Sequence, residues 1–279
     1  MAVESFREAI RLLTRMPLLW VPGLLGGMIA SAIWLLYHFT GAFFTSRLIL
    51  LFGLVLLVAV VGTLVLLRDK GGDFRTMIRG GFQYYFRVLL PIMVIIFALV
   101  IIFILLMVTF GFAGITPDPA ILSIATICVL IPTLMLTFFF DIAAVFEDRK
   151  VFESIQRSIV LVSDNIGAVL AFYVICALAG VTIIFALMMV WEIALFEKLE
   201  PITQFNETQM AAFTPEELMA MIGPDGIWIT AAVLFLAGLL LIPFITTYKA
   251  CFYRTLSRAQ VPIRQESGEY DSKGRWYKY

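Results

Sequence analysis

Six apolar runs, each long enough to cross a bilayer, constrain this 279-residue chain more than any other feature of it. A spanning helix needs ~20 mostly apolar residues. The runs are Leu18–Phe39, Leu48–Leu67, Val88–Ile115, Ala120–Phe140, Ile166–Trp191 and Ile227–Tyr248. Hydrocarbon offers backbone N–H and C=O groups no partner, so segments of this length satisfy themselves as helices. Composition agrees, with 62% hydrophobic and 14% charged residues against ~45–50% and ~25% in soluble domains. The expected fold class is therefore all-α, a polytopic membrane bundle of six transmembrane helices. The third and fifth runs are long, which predicts tilt or projection beyond the hydrocarbon. Pro17, Pro22, Pro117 and Pro119 mark boundaries, whereas Pro132 and Pro243 fall inside spans. A spanning helix tolerates an internal proline where neighbours satisfy the freed carbonyl.

Basic residues set the expected orientation, because Lys and Arg are retained on the cytoplasmic side and acids contribute little. Arg7, Arg11 and Arg15 precede the first span. Arg68, Lys70, Arg75, Arg79 and Arg87 separate the second and third, and Arg149, Lys150 and Arg157 the fourth and fifth. The opposite connections carry only Arg47 and, among many acids, Lys198. This asymmetry predicts a multi-pass protein of the cell membrane with both termini cytoplasmic. The first residues lack the pattern of a cleaved signal, so none is expected.

The six spans read as three hairpins, each led by an amphipathic helix with a Phe and, five positions on, an Arg: Phe6/Arg11, Phe74/Arg79 and Phe152/Arg157. One membrane domain, 1–259, is expected in units 1–70, 71–149 and 150–259, followed by a polar cytoplasmic tail, 260–279. The units all start on one side, unlike inverted transporter repeats. Asp141–Asn165 joins the halves. Its positions Val151, Phe152, Ile155, Ile159 and Val162 recur at helical spacing, opposite Lys150, Glu153, Gln156 and Arg157, which predicts an interfacial helix. Asp148 is placed to cap it, and Glu153 precedes Arg157 by one turn. Ser5–Glu8 has capping-box spacing, while Gly80–Gly81 is expected to weaken the second leading helix. Small residues at Gly23, Gly26 and Gly27, and from Ala177 to Gly180, predict close helix approach.

Glu192–Gly226 is the one sizeable outer loop, with a short capped helix and glycine stop at Thr214–Gly223 and a glycosylation triplet, Asn206-Glu207-Thr208. The tail from Gln260 to Tyr279 is expected to be disordered or loosely held at the membrane surface. Cys128, Cys176 and Cys251 have neither metal-ligand nor disulfide-framework spacing and read as packing residues.

Chemistry is sparse. His38 is the sole histidine and reads as an interfacial residue; no phosphate-binding glycine loop, CxxC, HExxH or acidic cation loop occurs. No cofactor or metal is implied, and zero net charge gives no electrostatic footprint for nucleic acid. The carboxylate pairs Glu147/Asp148 and Glu216/Glu217 read as solvated helix ends. Asp141 differs, because it lies about 9 Å, six residues at helical rise, inward from the charged end of its span. An acid at mid-membrane costs ~2.5–3.5 kcal/mol and recruits a partner or lines a cavity. Arg157 and Lys249 are the candidate partners. Lys249 and Tyr248 alternatively anchor the end of span six at the interface.

An intramembrane acid, a charged turn, an amphipathic helix with Arg157-Ser158 and a last span ending Tyr253-Arg254-x-Leu256 together resemble the membrane domain associated with glycerophosphoryl-diester phosphodiesterases and related six-helix prokaryotic proteins. REAIRLLTRMPLLWVPGL, from Arg7, is similar to the start of those proteins. The resemblance implies a bundle without catalytic residues of its own, since in the phosphodiesterases a separate soluble barrel carries the chemistry.

The function expected is that of a non-enzymatic scaffold or accessory subunit organising lipids or partners at the cytoplasmic face. Arg11, Arg79 and Arg157 are its candidate lipid-headgroup contacts. Membrane lipids, a protein partner or further copies of the chain are the implied partners. A transporter or channel-like protein with a site near Asp141 is the alternative, and a lipid-modifying enzyme comes third.

Overall fold

The computed structural model describes residues 1–112, 118–260, 268–270 and 276–278. The predicted end of the third span at Ile115, the following Pro117 and most of the tail lie outside the described residues. Eleven helices are seen among those described: α1 (Ala2–Arg15), α2 (Val21–Thr40), α3 (Ala42–Asp69), α4 (Phe74–Phe112), α5 (Pro119–Thr137), α6 (Phe140–Phe146), α7 (Val151–Asp164), α8 (Ile166–Ala194), α9 (Phe196–Leu199), α10 (Glu207–Ala212) and α11 (Pro215–Gln260). Six stretches are long and apolar enough to cross a membrane: Pro17–Thr40, Thr45–Asp69, Phe74–Phe112, Ala120–Phe146, Ile166–Ala194 and Glu217–Arg258. In the tail, expected to lack structure, Gly268–Tyr270 pairs antiparallel with Trp276–Lys278.

Local chemistry explains most boundaries. Met16 is extended because Pro17 excludes it from the helical region, so α1 ends there and a one-turn 3₁₀ helix, Pro17–Trp20, leads into α2. The Trp20 indole donates back to the Leu13 carbonyl at 2.9 Å, fixing the corner. After α3, Lys70 takes the left-handed conformation, φ 58°, followed by Gly71 and Gly72 at φ 153° and 140°. That glycine pair makes the reversal into α4 possible without strain. Thr214 and Glu217 cap each other reciprocally at the start of α11 (3.0 and 3.3 Å), and Gly223, φ 63°, kinks that helix where a stop is predicted. Other predicted caps differ. Ser5 lies inside α1, which starts at Ala2, and its hydroxyl meets Thr255 at 3.0 Å. Asp148 sits before the N-cap of α7, which is Lys150, and there Glu153 accepts from the Lys150 N–H at 3.3 Å.

Tight seams follow glycine. A Cβ on Gly27 would stand 2.4 Å from the Phe235 carbonyl oxygen, and one on Gly23 2.5 Å from that of Leu239, so α2 and α11 meet nearly backbone to backbone. Gly62 and Gly81 do the same between α3 and α4, at 2.4 Å from the Met77 and Val58 carbonyls. Gly80–Gly81 therefore does not break the leading helix: α4 runs unbroken through it from Phe74 to Phe112, and the glycines serve the contact with α3. Gly180, expected at a close approach, faces open space.

α2 packs on α3 and α11, and α8 on α11, but α5 finds its neighbour in α7 while α4 runs along α3. The middle pair of spans thus departs from the expected hairpin packing. α1 and the C-terminal turns of α11 share one end of the bundle, the terminal end, where α1 lies on those turns. Phe6 of α1 packs edge-on against Phe244 and Tyr248, with centroids 5.8 and 5.7 Å away. Tyr248 is not an interfacial anchor. α11 continues for three turns beyond it, its ring is fully buried against Phe172, and its hydroxyl donates to the Ala2 carbonyl. Ile142–Val145 of α6 are fully buried too, which places this short helix at the centre of the terminal end. α7 turns Ser154, Ser158, Leu161 and Val162 inward and leaves Phe152 and Ile159 exposed. The predicted apolar stripe is thus shared between the bundle and the outside.

Candidate functional site

The site forms where α5 stops and α6 starts. Across Phe138–Phe139 the helical ladder is interrupted, which orphans the carbonyls of Met135 and Leu136 and the N–H of Phe139. Two side chains take their places. The Tyr173 hydroxyl of α8 donates to the Met135 carbonyl at 3.2 Å. Ser158 of α7, fully buried, donates to the Leu136 carbonyl at 2.8 Å and accepts from the Phe139 N–H at 3.0 Å. A serine on an amphipathic helix reads from sequence as a solvent-side residue; here it is the splice between two helices.

The break puts Asp141 in the first turn of α6, where the exposed amide ends favour a negative charge. Its Oδ1 accepts from the Ile142 N–H at 2.8 Å. Lys249 Nζ donates to both carboxylate oxygens, at 2.7 and 2.8 Å, and lies 4.2 Å from the centre of the Phe138 ring. The side chains are 16% and 11% exposed, so this pair is largely desolvated. Lys249 does not reach outward to an interface, because α11 extends well past it and its ammonium turns inward to the acid. Arg157, the other candidate partner, is engaged elsewhere.

Arg157 Nε donates to Glu147 at 3.0 and 3.1 Å, and the Tyr253 hydroxyl donates to the same carboxylate at 2.6 Å. Arg149 adds a contact at 3.2 Å. Glu147, read as a solvated helix end, is instead a node joining the segment after α6 to α7 and α11, its side chain 21% exposed. Burial opposes its ionisation, but hydrogen bonds from Tyr253, Arg157 and Arg149 outweigh burial and hold its carboxyl below the ordinary carboxylate value. Asp148 stays exposed and pairs with Arg87. Nearby arginines close helix ends: Arg68 donates to the Val145 carbonyl at 3.1 Å and the Tyr84 hydroxyl at 2.7 Å, and Arg254 to the Leu67 carbonyl. Of the predicted headgroup contacts, Arg11 and Arg79 are exposed, whereas Arg157 is spent on Glu147. His38 sits far along α2 among the rings of Trp34 and Tyr37.

Above the ion pair, α4 and α5 stand apart. They wall a crevice of about 810 Å³ whose inner end is formed by Thr137, Asp141, Tyr173 and Lys249, and whose sides are apolar. A further 280 Å³ lies above it between the same helices, sharing Ile96 and Leu99. Among the described residues no cluster of three or more His, Cys, Asp or Glu could hold a metal ion.

A bundle of apolar spans closed at one end by largely desolvated ion pairs is the class of protein this geometry defines. The chain belongs to a family described as a domain of unknown function (DUF7847), which matches residues 1–256 and so takes in α1 to α10 and all but the last four residues of α11. No curated protein and no solved structure matches the chain.

Proposed function

We propose that this chain is a non-enzymatic integral protein of the cell membrane, with both termini cytoplasmic, that acts as a scaffold organising lipids or partners at the cytoplasmic face. The observation that carries this is the division of labour among charges at the terminal end. Asp141, Lys249, Glu147 and Arg157 are consumed in internal pairs that lock helices together. Arg7, Arg11 and Arg15 of α1 and Arg75 and Arg79 of α4 stay exposed on that locked base. Such cations attract anionic lipid at ~1 kcal/mol each near a membrane surface.

The test uses the protein in nanodiscs of mixed phosphatidylglycerol and phosphatidylcholine. Arg11→Gln with Arg79→Gln should reduce the enrichment of phosphatidylglycerol around the protein, and added salt should do the same to the parent. Enrichment indifferent to both refutes the scaffold reading. A transporter is the second reading, favoured by the crevice that reaches Asp141. It would take precedence if Asp141→Asn abolished a pH-dependent flux in proteoliposomes while thermal stability stayed unchanged.

A further inference from the structure

The polar atoms at the inner end of the α4–α5 crevice share a property that selects a ligand. Thr137 donates its hydroxyl hydrogen to the Thr133 carbonyl at 2.7 Å and Tyr173 donates its own to Met135. Lys249 directs its ammonium at both oxygens of Asp141 and at the Phe138 ring. Both hydroxyl hydrogens and two of the three ammonium hydrogens are committed to protein oxygens, and the ammonium lies over the Phe138 ring. What remains is acceptor capacity: the lone pairs of both hydroxyls, and those of Asp141, whose Oδ2 takes only the bond from Lys249. The site is donor-poor and acceptor-rich.

Depth narrows the choice. Asp141 lies six residues, about 9 Å at helical rise, inside Glu147. A phosphate drawn there would leave its hydration and meet the Asp141 carboxylate, a like charge that already holds two of the three Lys249 donors. A hydroxyl costs far less to bury and supplies what the site lacks. The walls specify the rest of the molecule. From Ile92 to Leu106 they run along about 20 Å of α4, by helical rise, and the α5 side is apolar and open laterally. The larger space alone, about 810 Å³, falls in the ordinary range of ligand sites, ~300–1,000 Å³, and the further 280 Å³ above it leaves room for chains.

We propose that this crevice binds an uncharged glycerolipid with one free hydroxyl, a diglyceride-type molecule, its chains lying between α4 and α5 and its hydroxyl donating to Asp141. This does not depend on the scaffold reading, which rests on the exposed arginines of α1 and α4.

The test is photolabelling of the full chain in phosphatidylcholine nanodiscs with a diazirine-bearing diglyceride, followed by peptide mapping. Label is expected on the facing residues of α4 and α5, displaced by unlabelled dioleoylglycerol and not by phosphatidic acid. Leu134→Trp, an exposed wall position that does not touch the ion pair, should cut labelling about tenfold, a loss of 1.4 kcal/mol, at unchanged thermal stability. Ile96→Trp on the opposite wall should do the same, so the result does not depend on one variant folding. Label outside the crevice, equal displacement by phosphatidic acid, or labelling indifferent to both tryptophans would overturn the proposal.

Discussion

α4 packs in two ways along one helix. Its first half lies against α3 through Gly80 and Gly81, where added Cβ atoms would collide with Val65 and the Val58 backbone. Its second half faces α5 across a gap wide enough for a ligand. The first half is amphipathic, with Arg75, Arg79 and Arg87 along it, and the second is apolar throughout, yet the tight contact is made by the first, at its glycines. Between helices in lipid there is little hydrophobic drive to associate, and contact depends on whether backbones can approach. Glycine allows it on one side, whereas Ile96, Leu99 and Phe103 hold α5 off on the other. The terminal end differs again, because largely desolvated ion pairs and side-chain splices, not glycine, fix α5, α6, α7 and α11 there.

The ion pair at the boundary of the closed and open regions gives the largest expected effect. Lys249→Met strands the Asp141 carboxylate and should cost ~3–5 kcal/mol, read as a fall in thermal stability in detergent. Asp141→Asn combined with Lys249→Met should recover part of that loss, the mark of coupled sites. Strictly additive losses would mean that the pair does not hold the α5–α6 break to α11.

Next comes the glycine contrast itself. Gly27→Leu and Gly81→Leu force side chains into facing backbone and should each destabilise by ~1–3 kcal/mol or more, whereas Gly180→Leu, with open space around it, should be tolerated. Equal effects at all three positions, measured by thermal unfolding monitored by size-exclusion, would show that helix approach is not what separates the tight seams from the crevice.

A smaller effect is expected at the splice. Ser158→Ala leaves the Phe139 N–H and the Leu136 carbonyl unpaired in a buried position, ~1–3 kcal/mol. It should also loosen α5 relative to α7, seen as faster hydrogen exchange across Leu136–Phe140. Exchange that stays as slow as in the parent would show that the break is held by something other than Ser158.

Number and place of the spans were legible in the sequence because apolar length is a local property. Asp141 was legible for a related reason, since an acid inside such a run is costly wherever the neighbours lie. Choosing between Lys249 and Arg157 was not possible, because it depends on which face of α11 meets α6. Glu147 was missed outright. Its partners, Arg157 and Tyr253, come from two other helices, and beside Asp148 it looks like an ordinary solvated helix end. Ser158 entered only as part of the resemblance, and its bridging role was unreadable for the opposite reason: serine inside an amphipathic pattern carries no mark of burial. The divergence of α4 and α5 was also out of reach, since helices apolar all round do not announce which side meets a neighbour.

The smallest expected effect separates the two kinds of closure at the terminal end by pH. Glu147 is held below its ordinary value by Tyr253, Arg157 and Arg149 against the opposition of burial. A carboxyl depressed on folding contributes stability that is fully present above its unfolded value and is lost as pH falls through the folded one. Thermal stability in detergent should therefore hold from about pH 7 down to about pH 5 and drop on further acidification to about pH 3, below the unperturbed carboxylate values, with Glu147 contributing part of that drop. Glu147→Gln keeps the size of the side chain and removes the titration. It should lower stability at neutral pH, where Arg157 loses its charge partner, and flatten the acid slope. Gly23 and Gly27 meet Leu239, Pro243 and Phe235, with no carboxylate among them, so the α2–α11 contact should persist through the same range. An acid slope as steep in Glu147→Gln as in the parent would assign the loss to other carboxylates and remove Glu147 from the lock.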